Sequence, residues 1–398
     1  MSQYKANTVN TGKPTVLFLA SFFPTRLHPV KGPFIRNFAD VVGSSYPLVV
    51  LTAEADAEIP GFWRVERSED PNFIQFTVFY NHQRVRIPVV RSIVNFISFF
   101  SGTANAYRLI QKTHGPIGIH HLHSTLPMGL FVLWLKWTRG VRYVLSEQVT
   151  IYIYERFAKL NSLQKLLHKS IFRGASRVSA LTAYHAEEIA KCGLRHDTMV
   201  IPNVIDEQFY GPGKRIEKDS TIKLIHISTL SPVKGVDDIV RAMAMLRNSG
   251  LDVSLTVIGG DEKRIAELQK LAEHEGVSSM IDWKGWLGRE TFVPLLQQAD
   301  YFVLNSAFET FCVVAAEALA CGLPVICPDL NPLKEFIDDK NGVFFLERTP
   351  KAIAKAVQVC VSNEGMFDRI SIARKVNFEF GPNQVLAKFE TLYEEFQL

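Results

Sequence analysis

The feature that most constrains this chain is that its pattern begins twice. The apolar run TVLFLAS starting at Thr15 leads to Pro29-Val30-Lys31-Gly32 and then to the helical stretch FIRNFADVV. The run KLIHIS starting at Lys223 leads to Pro232-Val233-Lys234-Gly235 and then to VDDIVRAMAML. Each half thus opens with strand, PVKG loop and helix. Short apolar runs continue to alternate with longer helical patterns, which is the signature of βαβ units and a mostly parallel sheet. Strands are expected at 15–20, 48–52, 118–122, 143–146, 177–180 and 199–201, and again at 223–228, 254–258, 281–284, 301–304, 324–327 and 342–346, with helices filling most gaps. The reading is α/β, two Rossmann-like domains of parallel sheet. The 398 residues suit it, because one domain usually takes roughly 100 to 200. The boundary is expected near Pro202-Asn203-Val204, before the polar stretch GPGKRIEKDS, with a ligand cleft between the two domains.

Charge separates the halves. Residues 1–205 carry 23 Lys/Arg against 12 Asp/Glu, and residues 206–398 carry 21 against 28, so a formal net charge of +4 is the sum of +11 and −7. Cysteine is confined to Cys192, Cys312, Cys321, Cys327 and Cys360, with no CxxC pair. A disulfide framework or zinc site is not expected, and a reducing compartment fits. The opening MSQYKANTVNTGKP has no apolar run of a signal peptide. The longest apolar stretches, 93–100 and 126–137, fall short of the roughly 20 residues that span a bilayer. A cytoplasmic location is expected.

Two stretches carry chemistry. In each PVKG loop the Gly lets backbone N–H groups approach a ligand, the helix start leaves N–H groups unpaired, and Lys adds a full charge. This outlines an anion site, against the alternative of a solvated Lys before an ordinary turn. Neither loop has Walker spacing and no GxGxxG occurs, which disfavours a P-loop NTPase or an NAD dehydrogenase. The second stretch is NSAFETFCVVAAEALACGLP, from Asn305 to Pro324. Thr310 is expected to cap a helix, so that the N–H groups of Phe311, Cys312 and Val313 would face a ligand at the carboxyl end of the preceding strand. Glu309 precedes that helix. Glu317 falls inside it among apolar residues, and a carboxylate there needs a partner, either sugar hydroxyls or an internal salt bridge.

At this point the sequence resembles the retaining glycosyltransferases of GT-B fold, family 4. The resemblance rests on Glu309-x7-Glu317 in the frame E-T-F-C-x4-E-A followed by G-L-P-V-I. It extends to the F-x-P-x7-Gly32-x-F loop, His121-Leu-His123 with Gly129 after it, I-P-Asn203-V-I-Asp206, Leu230-x3-Lys234-Gly, and Asn341-Gly342. It covers nearly the whole chain, including FGPNQVLAKFETLYEEF, which is similar to the family's last helix. The resemblance implies an acceptor-side domain of residues 1–203, a donor-side domain of 204–380, and a helix within 381–398 that packs back on the first domain.

Residue by residue, the resemblance implies that Glu317 binds the nucleotide ribose and Glu309 the donor sugar, with the N–H groups of 311–313 beside it. Lys234 would neutralise the donor diphosphate, Gly32 would approach diphosphate and acceptor, and Trp286 and Leu287 would lie where the base is contacted. His123 would contact the sugar, or serve as a structural hydrogen-bonder. The chain departs from the family at one place: Thr229 stands where members carry Arg beside Lys, and Lys31 or Arg26 is the first expectation for a substitute.

The resemblance implies transfer of a sugar from a nucleotide diphosphate sugar, UDP-sugar first, to a glycan or lipid-linked acceptor with retained configuration. No carboxylate stands out as a double-displacement nucleophile, and the resemblance implies the family's front-face reaction. No DxD-type pair follows a strand, so no metal is expected, and no cofactor beyond the substrate. The alternatives are a nucleotide-sugar epimerase of the same fold and a non-catalytic sugar-nucleotide-binding subunit. Segment 155–177 spaces Leu, Ile and Phe helically with Lys159, Lys165, Lys169, Arg173 and Arg177, and Arg84, Arg86 and Arg91 precede SIVNFISFF. Either is a candidate for peripheral contact with the anionic inner face of the cell membrane, against an ordinary surface helix. Nucleic acid is not expected as a partner.

Overall fold

The computed structural model describes residues 12–81, 88–153, 155–205, 209, 211–213, 220–363 and 365–396. Arg84, Arg86 and Asp206 lie outside the described residues. The chain divides into two compact units, Met1–Val204 with Val385–Leu398, and Ile205–Gln384.

Unit 1 runs β1 (Val16–Ala20), α1 (Pro33–Gly43), β2 (Leu48–Ala55), β3 (Trp63–Glu69), β4 (Ile74–Tyr80), α2 (Pro88–His114), β5 (Ile119–His123), α3 (Met128–Arg139), β6 (Tyr143–Glu147), α4 (Ser162–Gly174), β7 (Arg177–Ala180), α5 (Ala183–Lys191) and β8 (Met199–Val200). Among the described residues the sheet order is β3-β4-β2-β1-β5-β6-β7-β8. All neighbours are parallel except β3 and β4, which form an antiparallel pair. That hairpin was not expected. Its first strand, WRVERSE, is half charged and at the sheet edge, so it lacks the apolar run that marks the buried parallel strands.

Unit 2 runs β9 (Ile222–Ile227), α6 (Val236–Asn248), β10 (Val253–Ile258), α7 (Glu262–His274), β11 (Ile281–Gly285), α8 (Arg289–Gln298), β12 (Tyr301–Val303), α9 (Val313–Ala320), β13 (Val325–Pro328), α10 (Asn331–Lys334), β14 (Gly342–Phe345), α11 (Pro350–Ser362) and α12 (Arg369–Phe380). Its strands are all parallel, in the order β11-β10-β9-β12-β13-β14. Near-continuous apolar strands such as VSLTVI and VICP fit a sheet covered on both faces.

The last helix, α13 (Pro382–Tyr393), begins in unit 2 and ends in unit 1. Val385, Phe389, Leu392 and Tyr393 are fully buried. Phe389 meets Phe38 of α1 edge-on, with ring centroids 5.0 Å apart. The Tyr393 hydroxyl lies 2.6 Å from His121 Nδ1, and His121 Nε2 lies 2.7 Å from the Ser146 hydroxyl, itself 2.7 Å from that of Ser179. One buried polar chain therefore ties α13 across β5, β6 and β7.

Of the two basic segments, α4 packs by one face through His168, Ile171 and Phe172 and leaves Leu163 and Leu166 exposed. On α2, Ile93, Phe96 and Ile97 are exposed. Among the described residues no helix is long and apolar enough to cross a membrane.

Candidate active site

Apart from the antiparallel β3 edge, each sheet reverses its strand order once, between β1 and β5 in unit 1 and between β9 and β12 in unit 2. Open α/β sheets bind ligands at the carboxyl ends of the strands flanking such a point. The residues singled out from sequence fall there. The PVKG loops follow β1 and β9, His123 ends β5, and Glu309 follows β12.

Both PVKG glycines do the same local job. Gly32 (φ 66°, ψ 41°) and Gly235 (φ 59°, ψ 33°) are left-handed residues that cap α1 and α6. A side chain is strained in that conformation. Space is closed as well: a Cβ on Gly32 would sit 2.9 Å from the Phe22 carbonyl.

In unit 2 the loops flanking the reversal are laced together. Ala307 N–H donates to the Val233 carbonyl at 2.8 Å, and the Asn305 side-chain amide donates to the Gly235 carbonyl at 2.9 Å. The fully buried His226 fixes the exit of β9, with Nδ1 2.8 Å from the Val303 carbonyl and Nε2 2.8 Å from the Ser228 hydroxyl. Burial pushes its pKa down to about 4, so it is a neutral strut. This lacing brings Lys234 Nζ to 2.6 Å from Glu309 Oε1, a contact between residues 75 apart in sequence. Both side chains are mostly covered, 23% and 11% exposed. Burial works against the Lys234 charge, but the Glu309 carboxylate foremost outweighs it and holds the ammonium above its ordinary value. Sequence reading gave these residues separate partners, and the structure pairs them with each other.

The cap of α9 differs from expectation. The helix starts at Val313 with Cys312 as its cap, at φ 76° and ψ 76°, and Thr310 does not cap it. Because Cys312 is left-handed, its carbonyl takes the first helical bonds, from Ala315 at 3.1 Å and Ala316 at 3.3 Å. The N–H groups at the helix start are therefore those of Val313 and Val314, while those of Phe311 and Cys312 precede the helix. Phe311 turns its ring into the core against Phe336 and Phe380. Glu317 is buried in α9, and its Oε1 lies 3.8 Å from Arg289 Nη2, so an internal cation partners it. Arg289 had not been singled out.

Thr229 is exposed, its hydroxyl 3.1 Å from that of Ser231. Trp286 is exposed and Leu287 half-buried. In unit 1 the proposed substitutes for the missing Arg are already engaged. Lys31 Nζ lies 3.0 Å from Glu54 Oε1, and Arg26 pairs with Asp56 at 2.5 Å and Glu66 at 3.3 Å. Glu54, at the end of β2, also receives the Thr25 hydroxyl and lies 2.7 Å from His28 Nδ1. Burial raises its pKa, but these hydrogen bonds and the Lys31 charge carry it below its ordinary value. Lys31 and Arg26, the first expectation for a substitute, are thus each ion-paired within unit 1.

His123 was expected to reach a cleft, yet its side chain is fully buried. Its ring lies 4.1 Å from that of Phe18 and 4.0 Å from that of His121, and neither nitrogen has a hydrogen-bond partner. Burial lowers its pKa to about 3, which makes it a neutral ring at physiological pH.

Two Rossmann-like units, one carrying a Lys–Glu pair and a buried second Glu at its strand-order reversal, define a protein of GT-B architecture. The solved structures agree on the fold. Sucrose-phosphate synthase from Thermosynechococcus elongatus superposes with a TM-score of 0.73 at 16% identity, over 96% of this chain and 98% of that one. HepE from Anabaena, crystallised with UDP and glucose, gives 0.71 at 15% identity, over 96% and 100%. The family models are specific: residues 49–209 match Glycosyltransferase Family 4 and residues 212–375 match Glycosyl transferases group 1, so the chain belongs to the family 4 glycosyltransferases. A similar curated relative is the GDP-mannose-dependent alpha-(1-6)-phosphatidylinositol dimannoside mannosyltransferase of Mycobacterium tuberculosis, 29% identical over 193 residues, 46% of this chain and 49% of that one. The chain thus matches about half the length of that relative.

Proposed function

We propose that the protein transfers a sugar from a nucleotide diphosphate sugar to a glycan or lipid-linked acceptor with retention of configuration. The observation that carries this reading is the Lys234–Glu309 pair at the strand-order reversal of unit 2, with Glu317 buried in the helix that follows. Departure of a nucleoside diphosphate builds negative charge on its oxygens. A cation held in place beforehand stabilises that charge without reorganising at the moment of reaction. Lys234 meets this need, because its charged form is favoured and Glu309 fixes its position. Glu309 has a second carboxylate oxygen for donor-sugar hydroxyls, and Glu317 accepts from the ribose. Gly32, Trp286, Leu287 and the backbone around Phe311, Cys312 and Val313 complete the proposed donor contacts, and Thr229 leaves room rather than charge. His123 contributes as a buried neutral ring at the end of β5. The reaction is front-face and needs no metal.

UDP-sugar is the first reading for the donor, supported by HepE having been crystallised with UDP. GDP-sugar is the second, favoured by the GDP-mannose dependence in the name of the mycobacterial relative. Exposed Leu163 and Leu166 beside the Lys and Arg of α4 support peripheral contact with anionic membrane. The deciding assay incubates the protein with UDP- and GDP-sugars, with and without lipid or glycan acceptors, in EDTA. Acceptor-dependent release of UDP or GDP is the expected result. Conversion of donor alone to an isomer, or a requirement for divalent metal, would overturn the respective parts of the reading.

A further inference from the structure

The donor reading leaves a deficit of charge. Unit 2 is the acidic half of the chain, position 229 is Thr, and the obvious cations at the site are matched. Lys234 is paired with Glu309, Arg289 lies beside Glu317, and Arg264 pairs with Asp237 at 2.5 Å and Glu267 at 3.2 Å. One cation is not matched. Arg348, half-buried between β14 and α11, donates from Nε at 3.0 Å and from Nη2 at 2.8 Å to the same acceptor, the Asn305 carbonyl. Among the described residues no carboxylate pairs with it.

Its placement is costly on any reading that gives it no anion. A Cβ on Gly235 would lie 2.7 Å from Arg348 Nη2 and 2.5 Å from Asn305 Nδ2, so the guanidinium packs directly on the residue that caps α6. Arg348 also stands one residue before Thr349, the cap of α11. The guanidinium therefore lies at the amino end of α6, and the residue itself just before that of α11, ends that disfavour a cation. The first-turn acids of α6 do not relieve this, since Asp237 is engaged by Arg264 and Asp238 by Arg241 at 3.1 Å. A second observation marks the same corner as built for a polar ligand. Ser306 is fully buried with no hydrogen-bond partner for its hydroxyl, and Asn305 Oδ1 is likewise buried and unmatched. Buried polar atoms normally find partners.

We infer that Arg348, packed on Gly235, supplies the second phosphate-directed charge that position 229 lacks. Its two bonds to Asn305 use one edge of the guanidinium and leave Nη1 for a phosphate oxygen. The same bonds fix Asn305, whose amide holds the Gly235 carbonyl, so charge and loop geometry are set by one side chain. The inference rests on the proposed donor reading.

Calorimetry on the full chain tests it with UDP and uridine, and with GDP and guanosine in parallel. Arg348→Gln keeps an N–H donor for the Asn305 carbonyl and removes the charge. It should weaken the diphosphate that binds by about tenfold, the scale of a charge-assisted hydrogen bond, and leave the nucleoside within about twofold. Arg348→Lys should recover most of the loss, and the salt dependence of diphosphate binding should flatten in the Gln variant only. Equal weakening of diphosphate and nucleoside would show a purely structural residue and overturn the inference. So would undiminished diphosphate affinity in Arg348→Gln while Lys234→Ala loses it. If the unmodified protein binds neither UDP nor GDP, the donor reading falls first and takes this inference with it.

Discussion

The two units open with the same four letters and use them differently. In unit 1 the PVKG lysine is tied down: Lys31 pairs with Glu54, which also holds Thr25 and His28, so the loop is pinned by a buried carboxylate. In unit 2 the loop is held by the backbone and by Asn305, and Lys234 is left to pair with Glu309 at the strand-order reversal. The shared glycine cap fixes where a lysine stands. What that lysine does is decided by the acid the facing strand supplies.

The largest effect that would break this comparison is on turnover. Lys234→Ala should lower kcat by about two to three orders of magnitude, as loss of a preorganised charge stabiliser does. Lys31→Ala should leave transfer within a few-fold. Steady-state kinetics on both variants decides, and equal losses would erase the distinction between the loops.

Acid should separate the units next. His120 and His185 have pKa values lowered to about 4 and His123 to about 3, and His121 is held well below its ordinary value, all by burial in unit 1. In unit 2 His226 alone, among the described residues, is so shifted. Each ring binds a proton from about pH 6.5 downward when unfolded, but only near its lowered pKa when folded. Its contribution is therefore complete above pH 6.5 and is lost as the pH falls towards 4, on the order of 3 kcal/mol for a shift of this size. Hydrogen exchange followed by proteolysis and mass spectrometry should find unit 1 opening first between pH 6 and 4, values set by those shifts. Simultaneous opening would mean that the histidines are not buried neutral.

Smaller effects sharpen the picture. Gly235→Ala should cost about 1 to 3 kcal/mol through left-handed strain and the crowding by Asn305 and Arg348. Gly32→Ala should cost a similar amount, measured in both cases by denaturant unfolding. Tyr393→Phe should cost about 1 kcal/mol, a hydrogen bond lost from a buried chain in unit 1 with no effect on unit 2.

The parallel strands were legible in sequence because each is an apolar run bounded by turn residues, and the twelve expected segments all coincide with strands to within a few residues. The hairpin of β3 and β4 was not, though the Asp70-Pro71-Asn72 turn before IQFTVFY, a stretch rich in aromatic and β-branched residues, is a usable signal. At the candidate site, Lys234, Glu309 and Glu317 were visible as unusual charges in apolar or glycine-marked surroundings. The left-handed conformation of Cys312 was not, since nothing in a cysteine announces it. Arg289 and Arg348 were missed for another reason. Their importance lies in contacts with residues far along the chain, Arg348 reaching Asn305 across 43 positions. Local pattern carries no information about such pairs.

The return of α13 to unit 1 bears on the order in which the molecule is made. Residues 16–200 leave the ribosome first, yet the layer over α1 and β5 is closed only by Val385, Phe389, Leu392 and Tyr393. Until those emerge, the face of Phe38 that Phe389 covers and His121 Nδ1, which meets Tyr393, lack those partners while the whole of unit 2 is being synthesised. Domains usually complete in the order of translation. Here the half that begins first has to finish last, and a nascent chain stalled before residue 385 should still be recognised by chaperones that bind exposed apolar surface.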